Sequence, residues 1–199
     1  IILIINQKNN KNLDIKFERI NVALFYINLK KLDIKVTKSN TLNKASDFWL
    51  FTSLRFEVLN YYIKNNNLKS FYHAEIDNLI FNFDNLDKIF NKIGNGIFIP
   101  RDGKFRAIAS FLYCNKDSCL DELLSLFSPP FNPENDMKAL GIYANQSKYF
   151  YSLSTESYEY TKKEWEIISP NITNGLFDAA AIGQYCLGIY PRNNKYEPT

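Results

Sequence analysis

The chain has 199 residues, 46% of them hydrophobic and 16% aromatic, with a net charge of +3. That length and apolar content suffice to bury one substantial core in a single domain over 1–199, and the aromatic richness excludes a disordered chain. The charge suits an anionic small ligand or peripheral contact with an anionic membrane surface, and falls short of a nucleic-acid footprint. Cys114, Cys119 and Cys186 are odd in number and lack metal-ligand spacing, so free thiols in a reducing compartment are expected. No apolar run reaches the length of a membrane span and no signal-peptide pattern opens the sequence, so the cytoplasm, or the inner face of a membrane, is the expected place of work. The chain opens without Met, directly on an apolar run, and stops at Pro198-Thr199, as a piece of a longer protein does.

In chain order, Ile1 to Ile5 is continuous and largely β-branched, as in a parallel strand covered on both faces. Ile20 to Leu29 holds a second apolar run, and Ile34 to Val36 reads as a short strand. Ser46 caps a helix predicted over 47–64, with Phe48, Phe51, Leu54, Val58, Leu59, Tyr61 and Tyr62 on one stripe. Arg55 falls inside that stripe, where a guanidinium needs a carboxylate, a carbonyl cluster or a ligand anion. A strand over 71–81 comes next. Leu86, Ile89, Phe90 and Ile93 form a short amphipathic helix ended by Gly94-Asn95-Gly96, and Ile97 to Ile99 is apolar. Pro100-Arg101-Asp102-Gly103 reads as a turn, 105–113 as a strand, and 117–127 as a helix with Leu120, Leu123, Leu124 and Phe127 inward. Ser128-Pro129-Pro130 breaks it; 135–143 is helical, 149–153 extended, and 177–187 carries small residues suited to close packing. Helical and strand patterns alternate throughout, which favours an α/β layered fold.

The most informative stretch is Phe71-Tyr72-His73-Ala74-Glu75-Ile76-Asp77-Asn78-Leu79-Ile80-Phe81. In an extended chain Glu75 and Asp77 share a face, with His73 behind them. Two acids side by side are costly to bury unless a cation or a network of donors meets them. A divalent metal at the strand's end meets that need; the alternative is a pair of solvated acids where the strand runs out. His73 is expected to be a packed, hydrogen-bonded histidine rather than a ligand.

The helix with an internal Arg55, followed by His73-Ala74-Glu75-Ile76-Asp77-Asn78, resembles bacterial glycosyltransferases of the GT-A type, in which an Asp-x-Asp-like acid pair follows a nucleotide-sugar-binding half. Three further segments resemble a subgroup of that class: Arg106-Ala107-Ile108-Ala109-Ser110-Phe111, Asn135-Asp136-Met137, and the stretch from Phe177 to Asn193 that begins Phe177-Asp178-Ala179-Ala180-Ala181. The resemblance spans 1–193 and implies a GT-A-like fold, a mostly parallel central sheet flanked by helices, using a nucleotide-sugar donor and a glycan or lipid-linked acceptor. Tyr190 stands where the subgroup has an acid; the class often uses a late histidine or acid as a further metal ligand, and with His73 the only histidine here, that ligand is an acid, absent, or beyond Thr199.

A nucleoside-diphosphate leaving group gathers negative charge, and a divalent cation on its phosphates acts as a Lewis acid. Hard oxygen ligands from Asp77, with Glu75 direct or through water, suit Mg²⁺ or Mn²⁺. Arg55, Arg106 and Arg192 are candidate donor contacts because Arg presents a fixed fork of donors; Arg101, in the predicted turn, is expected to be solvated. Asp178 is the candidate base for the acceptor hydroxyl, or else the N-cap of the helix that follows it. Gln184 either hydrogen-bonds a sugar hydroxyl or faces water. The function expected is metal-dependent glycosyl transfer, lost with a chelator; the alternative is a non-catalytic carbohydrate-binding or scaffolding domain, which would show no donor hydrolysis at all. A phosphohydrolase would want more acids and histidines clustered than this chain has.

Overall fold

The structure is a computed structural model that describes residues 2–6, 23–27, 48–75, 84–131 and 133–178, with side chains from Leu50 onward. The first apolar runs form β1 (Ile2–Asn6) and β2 (Ala23–Ile27), paired in parallel with Ile2 opposite Ala23. The strand expected at Ile34 to Val36 and the cap at Ser46 lie outside the described residues.

The chain from the first long helix onward builds one mixed sheet between helices. Its helices and strands are α1 (Phe48–Asn65), β3 (Phe71–Ala74), α2 (Leu86–Ile93), β4 (Ile97–Gly103), β5 (Arg106–Ala107) and β6 (Phe111–Cys114), then α3 (Cys119–Ser125), α4 (Asp136–Gln146), β7 (Phe150–Leu153) and the single turns α5 (Tyr158–Thr161) and α6 (Pro170–Thr173). The order across the sheet is β3-β6-β4-β5, with β7 on β4. Only β4–β7 is parallel; β3–β6, β4–β6 and β4–β5 are antiparallel. This corrects the mostly parallel sheet. A parallel return needs a crossover of a dozen or more residues, and between β4 and β6 the chain has only tight turns. After the stretch carrying α3 and α4, β7 runs beside β4 and parallel to it, opposite in direction to β6.

Two local expectations fail here for the same reason. Pro100-Arg101-Asp102-Gly103 is strand and not a turn, because Pro100 needs only its carbonyl, which accepts the Ile108 N–H at 2.9 Å. The reversal falls at Lys104-Phe105 instead. The strand expected over 105–113 is interrupted by a turn at Ala109-Ser110.

The period of two along each strand sorts the core. Ile97, Ile99, Leu112 and Cys114 join the helices' Leu54, Phe56, Leu120, Leu123, Leu124, Phe127, Ala139, Leu140 and Tyr143 on one face. Phe98, Phe111, Tyr113 and Leu153 meet Leu86 and Phe90 on the other, where the Phe90 and Phe98 rings stack at 4.6 Å. Leu86 and Phe90 of α2, with Ile93 beside them, and Leu120, Leu123, Leu124 and Phe127 are inward as expected, whereas Ile89 is only half-buried and outside both clusters; Cys114 and Cys119 are free and buried. The stripe drawn on α1 is not its buried face: Phe51 is exposed, while Ser53, Phe56, Glu57 and Ile63 turn inward with Leu54. Aromatic residues surround α1, so periodicity alone does not select a face; packing against α3 and α4 does.

Gly141 lets α4 lie directly on the hairpin tip, since a Cβ there would run into the backbone of Phe105 and Arg106. Asn135 caps α4 by accepting the Lys138 N–H at 2.9 Å. That cap fixes where α4 begins, and its first residue, Asp136, is a buried acid.

Candidate functional site

β3 is an edge strand of the described sheet, and its last rung sets the site. Beyond Ala74 the Glu75 N–H donates to the Ser110 carbonyl at 2.9 Å, at the turn that interrupts β5 and β6. The Glu75 carboxylate then meets the Arg55 guanidinium projecting from α1. The other arm of Arg55 is bonded to Asp136, and the Thr52 hydroxyl donates to the same carboxylate at 3.2 Å. Arg55 therefore sits between two acids from two elements, with its Nε buried and without a partner. Of the alternatives open for Arg55, a carboxylate partner is the one the structure displays.

His73 stands behind this triad. Burial pushes its pKa down to about 4, and the nearby Arg55 charge pushes the same way, so the imidazole is neutral at neutral pH. It is packed as expected, but its Nε2 is buried with no hydrogen-bond partner.

Asp178 enters from the end of the described chain. Its carbonyl accepts the Ser110 hydroxyl at 3.0 Å, and the preceding Phe177 N–H donates to the Ser154 carbonyl at 2.9 Å, just past β7. The Phe177 ring also packs at a tilt against Phe111, with centroids 5.0 Å apart. Asp178 is thereby held beside Ser110, one residue from the Phe111 strand. Asp77, Gln184 and Arg192, with the segment that Asp178 was expected to cap, lie outside the described residues.

The other arginines divide. Arg101 is buried, contrary to the solvated turn expected: it donates to the carbonyls of Gly103 and Lys104 and to Asn145 of α4, and stacks on Trp165 at 4.6 Å. It braces the hairpin tip. Arg106 lies 3.4 Å from Asp102 across that hairpin. Burial pushes the Asp102 pKa up, against the pull of Arg106 and its own backbone amide, and the charge of Glu156 adds to the rise.

Among the described residues no group of three His, Cys, Asp or Glu side chains is placed to hold a metal. Glu75 is 38% exposed at its side chain, and only one of its oxygens is engaged by Arg55. That is one usable carboxylate, which fits Mg²⁺ or Mn²⁺ only in their habit of taking one or two protein carboxylates together with water and substrate phosphates.

A groove of about 520 Å³ opens at the other end of the sheet, where the Tyr149 carbonyl accepts the Ile97 N–H. Both oxygens of Glu122 in it are already engaged, by the hydroxyls of Ser118, Tyr143 and, at 3.5 Å, Ser147. The polar convergence around Glu75 is the better candidate.

Sequence reasoning assigned no role to Asp136 or Asp102. Asn135-Asp136 at a helix start reads as ordinary capping and dipole chemistry, and nothing in one sequence distinguishes a buried first-turn acid from a solvated one. Comparison with protein-family models, with curated proteins and with solved structures returned no match.

Proposed function

We propose that this chain is a metal-dependent glycosyltransferase that moves a sugar from a nucleoside-diphosphate sugar to a glycan or lipid-linked acceptor. One observation supports it above the others. The segments that carry the glycosyltransferase resemblance are far apart in sequence, yet Arg55, Glu75, Ser110, Asp136 and Asp178 form one connected set of contacts.

In this scheme Arg55 is a positioning residue. It neutralises buried Asp136 and orients Glu75 at the mouth of the site. Asp77 and Glu75 are the residues that would hold a divalent cation, which when bound would supply Lewis acidity to the leaving diphosphate. Asp178 takes the proton of the acceptor hydroxyl, and Ser110 fixes its backbone. Gln184 and Arg192 complete the donor contacts. Among the described residues no helix is long and apolar enough to cross a membrane. A lipid-linked acceptor would be reached by peripheral contact with a membrane surface.

The second reading, a carbohydrate-binding or scaffolding domain without turnover, is favoured by the engagement of Glu75 with Arg55, which draws the acid toward a structural ion pair. Incubation of the protein with a panel of nucleotide sugars and Mn²⁺, followed by detection of released nucleoside diphosphate, separates the two. Release that EDTA abolishes supports transfer chemistry; donor binding with no release at any metal concentration supports the scaffold.

A further inference from the structure

The groove of about 520 Å³ lies where α3 and α4 end, with Ser125 and Gln146 on its walls. Its size is that of a small-molecule cleft, which runs from about 300 to 1,000 Å³. Helix carboxyl ends carry partial negative charge and favour cations. Glu122 of α3 adds a full negative charge to the same groove. Its partners there, the Ser118, Tyr143 and Ser147 side chains, are neutral hydroxyl donors, and among the described residues no Lys or Arg is paired with it. Hydroxyl dipoles stabilise that charge without cancelling it. Leu126 and Phe131 supply apolar wall, and Phe131 is 42% exposed.

Tyr149 completes the groove and is tied to the acid through one hydroxyl. The Tyr149 N–H donates to the Ser147 Oγ at 3.2 Å, and that hydroxyl donates to Glu122 at 3.5 Å. The Tyr149 ring already attracts ammonium groups. Lys116 lies 4.1 Å and Lys148 5.2 Å from its centroid, and neither is paired with a carboxylate among the described residues. An aromatic face draws a cation by its quadrupole. Lys148 is exposed and lines the groove, so it stands in, on a tether, for a free cation.

We infer that this groove binds an organic ammonium ion, its charge between the Glu122 carboxylate and the Tyr149 ring and its hydrocarbon body against Leu126 and Phe131. The inference is independent of the transferase reading. A bound ammonium displaces Lys148 from the ring, so the two charged residues of the groove should act in opposite directions: removing the acid weakens binding, and removing the lysine strengthens it. An anionic ligand would reverse both signs.

The test uses the whole chain and three probes: choline; tert-butylethanol, its neutral isostere with carbon in place of nitrogen; and inorganic pyrophosphate. Amide-resolved NMR titrations are run on wild type, Glu122→Gln and Lys148→Gln, with folding checked by circular dichroism. Choline is expected to shift the amides of Gln146 to Tyr149 and to bind about fivefold or more tightly than the alcohol. Glu122→Gln should remove most of that advantage, and Lys148→Gln should tighten choline about twofold or more. The comparison of choline with its isostere needs wild type alone, so it decides the matter should Glu122→Gln not fold. The site is overturned if choline binds no better than the alcohol, if its shifts fall outside the groove, or if folded Glu122→Gln binds it unchanged. Pyrophosphate taking the groove in its place, with loss in Lys148→Gln, would overturn it as well.

Discussion

Arg55→Met is the most informative single perturbation, because it strips the only cation shown on a carboxylate that has almost no access to water. Asp136 is 3% exposed at its side chain, and without Arg55 its remaining described partner is the Thr52 hydroxyl at 3.2 Å. Removing one member of a buried ion pair costs about 3–5 kcal/mol, since the other charge is left uncompensated. For a chain of this size that corresponds to a fall in Tm of roughly 6–20 °C. Glu75 contributes less, being more than a third exposed and able to rehydrate. Urea and thermal unfolding of Arg55→Met, Asp136→Leu and the double variant measure the effect. The double variant should recover much of the loss, because apolar groups of similar volume replace both charges. Nucleotide binding should remain weakened in every variant lacking Arg55, since Glu75 is no longer oriented. An Arg55→Met protein within about 1 kcal/mol of wild type would refute the buried-pair reasoning, as such a change is typical of exposed pairs.

Three further outcomes follow from the geometry. His73 has a folded pKa depressed to about 4, so between that value and its ordinary 6.5 the unfolded chain binds the extra proton; stability is full above about pH 6.5 and falls by up to about 3 kcal/mol as pH drops through 4. Urea melts at pH 7 and pH 4 should show that loss in wild type and a smaller one in His73→Phe. Gly141→Ala places a Cβ against the Phe105 backbone and should destabilise by about 1–3 kcal/mol through displacement of α4 from the hairpin tip, read by thermal unfolding. Asp178→Asn should leave donor binding intact and depress transfer by about 10²–10⁴-fold, whereas the loss of a mere cap in Asp178→Ala would lower stability by about 1 kcal/mol and leave the rate alone.

How much of this was legible depends on how local the signal is. The helices α2, α3 and α4 and the strand β7 are readable because each is short, capped or bounded by turn residues, and its apolar positions repeat at one period. β1 is readable as a strand for its β-branched run, and its parallel pairing with β2 agrees with that pattern, whereas the run that holds β2 reads only as apolar. The direction of the main sheet was not, because it is set by where the chain reverses, and Pro100 to Gly103 has turn composition while serving as strand. The face of α1 was illegible for a different reason: aromatic residues on all sides leave the choice to tertiary contacts. The acid at Glu75 and the cation at Arg55 stood out in the sequence as charges needing partners. That they are partners of one another, with Asp136 as the third member, is a tertiary fact.

The central claim is that the convergence around Glu75 serves nucleotide-sugar chemistry with a divalent cation. Its most direct test is calorimetry of Mn²⁺ together with a nucleoside diphosphate on wild type and Asp77→Asn, in parallel with donor turnover. Asparagine keeps the shape of Asp77 and removes its anionic oxygen. The proposal predicts metal-dependent nucleotide binding and turnover in wild type, both lost in a variant that remains folded. Metal-dependent binding that survives intact in Asp77→Asn, or turnover that EDTA does not touch, would contradict it.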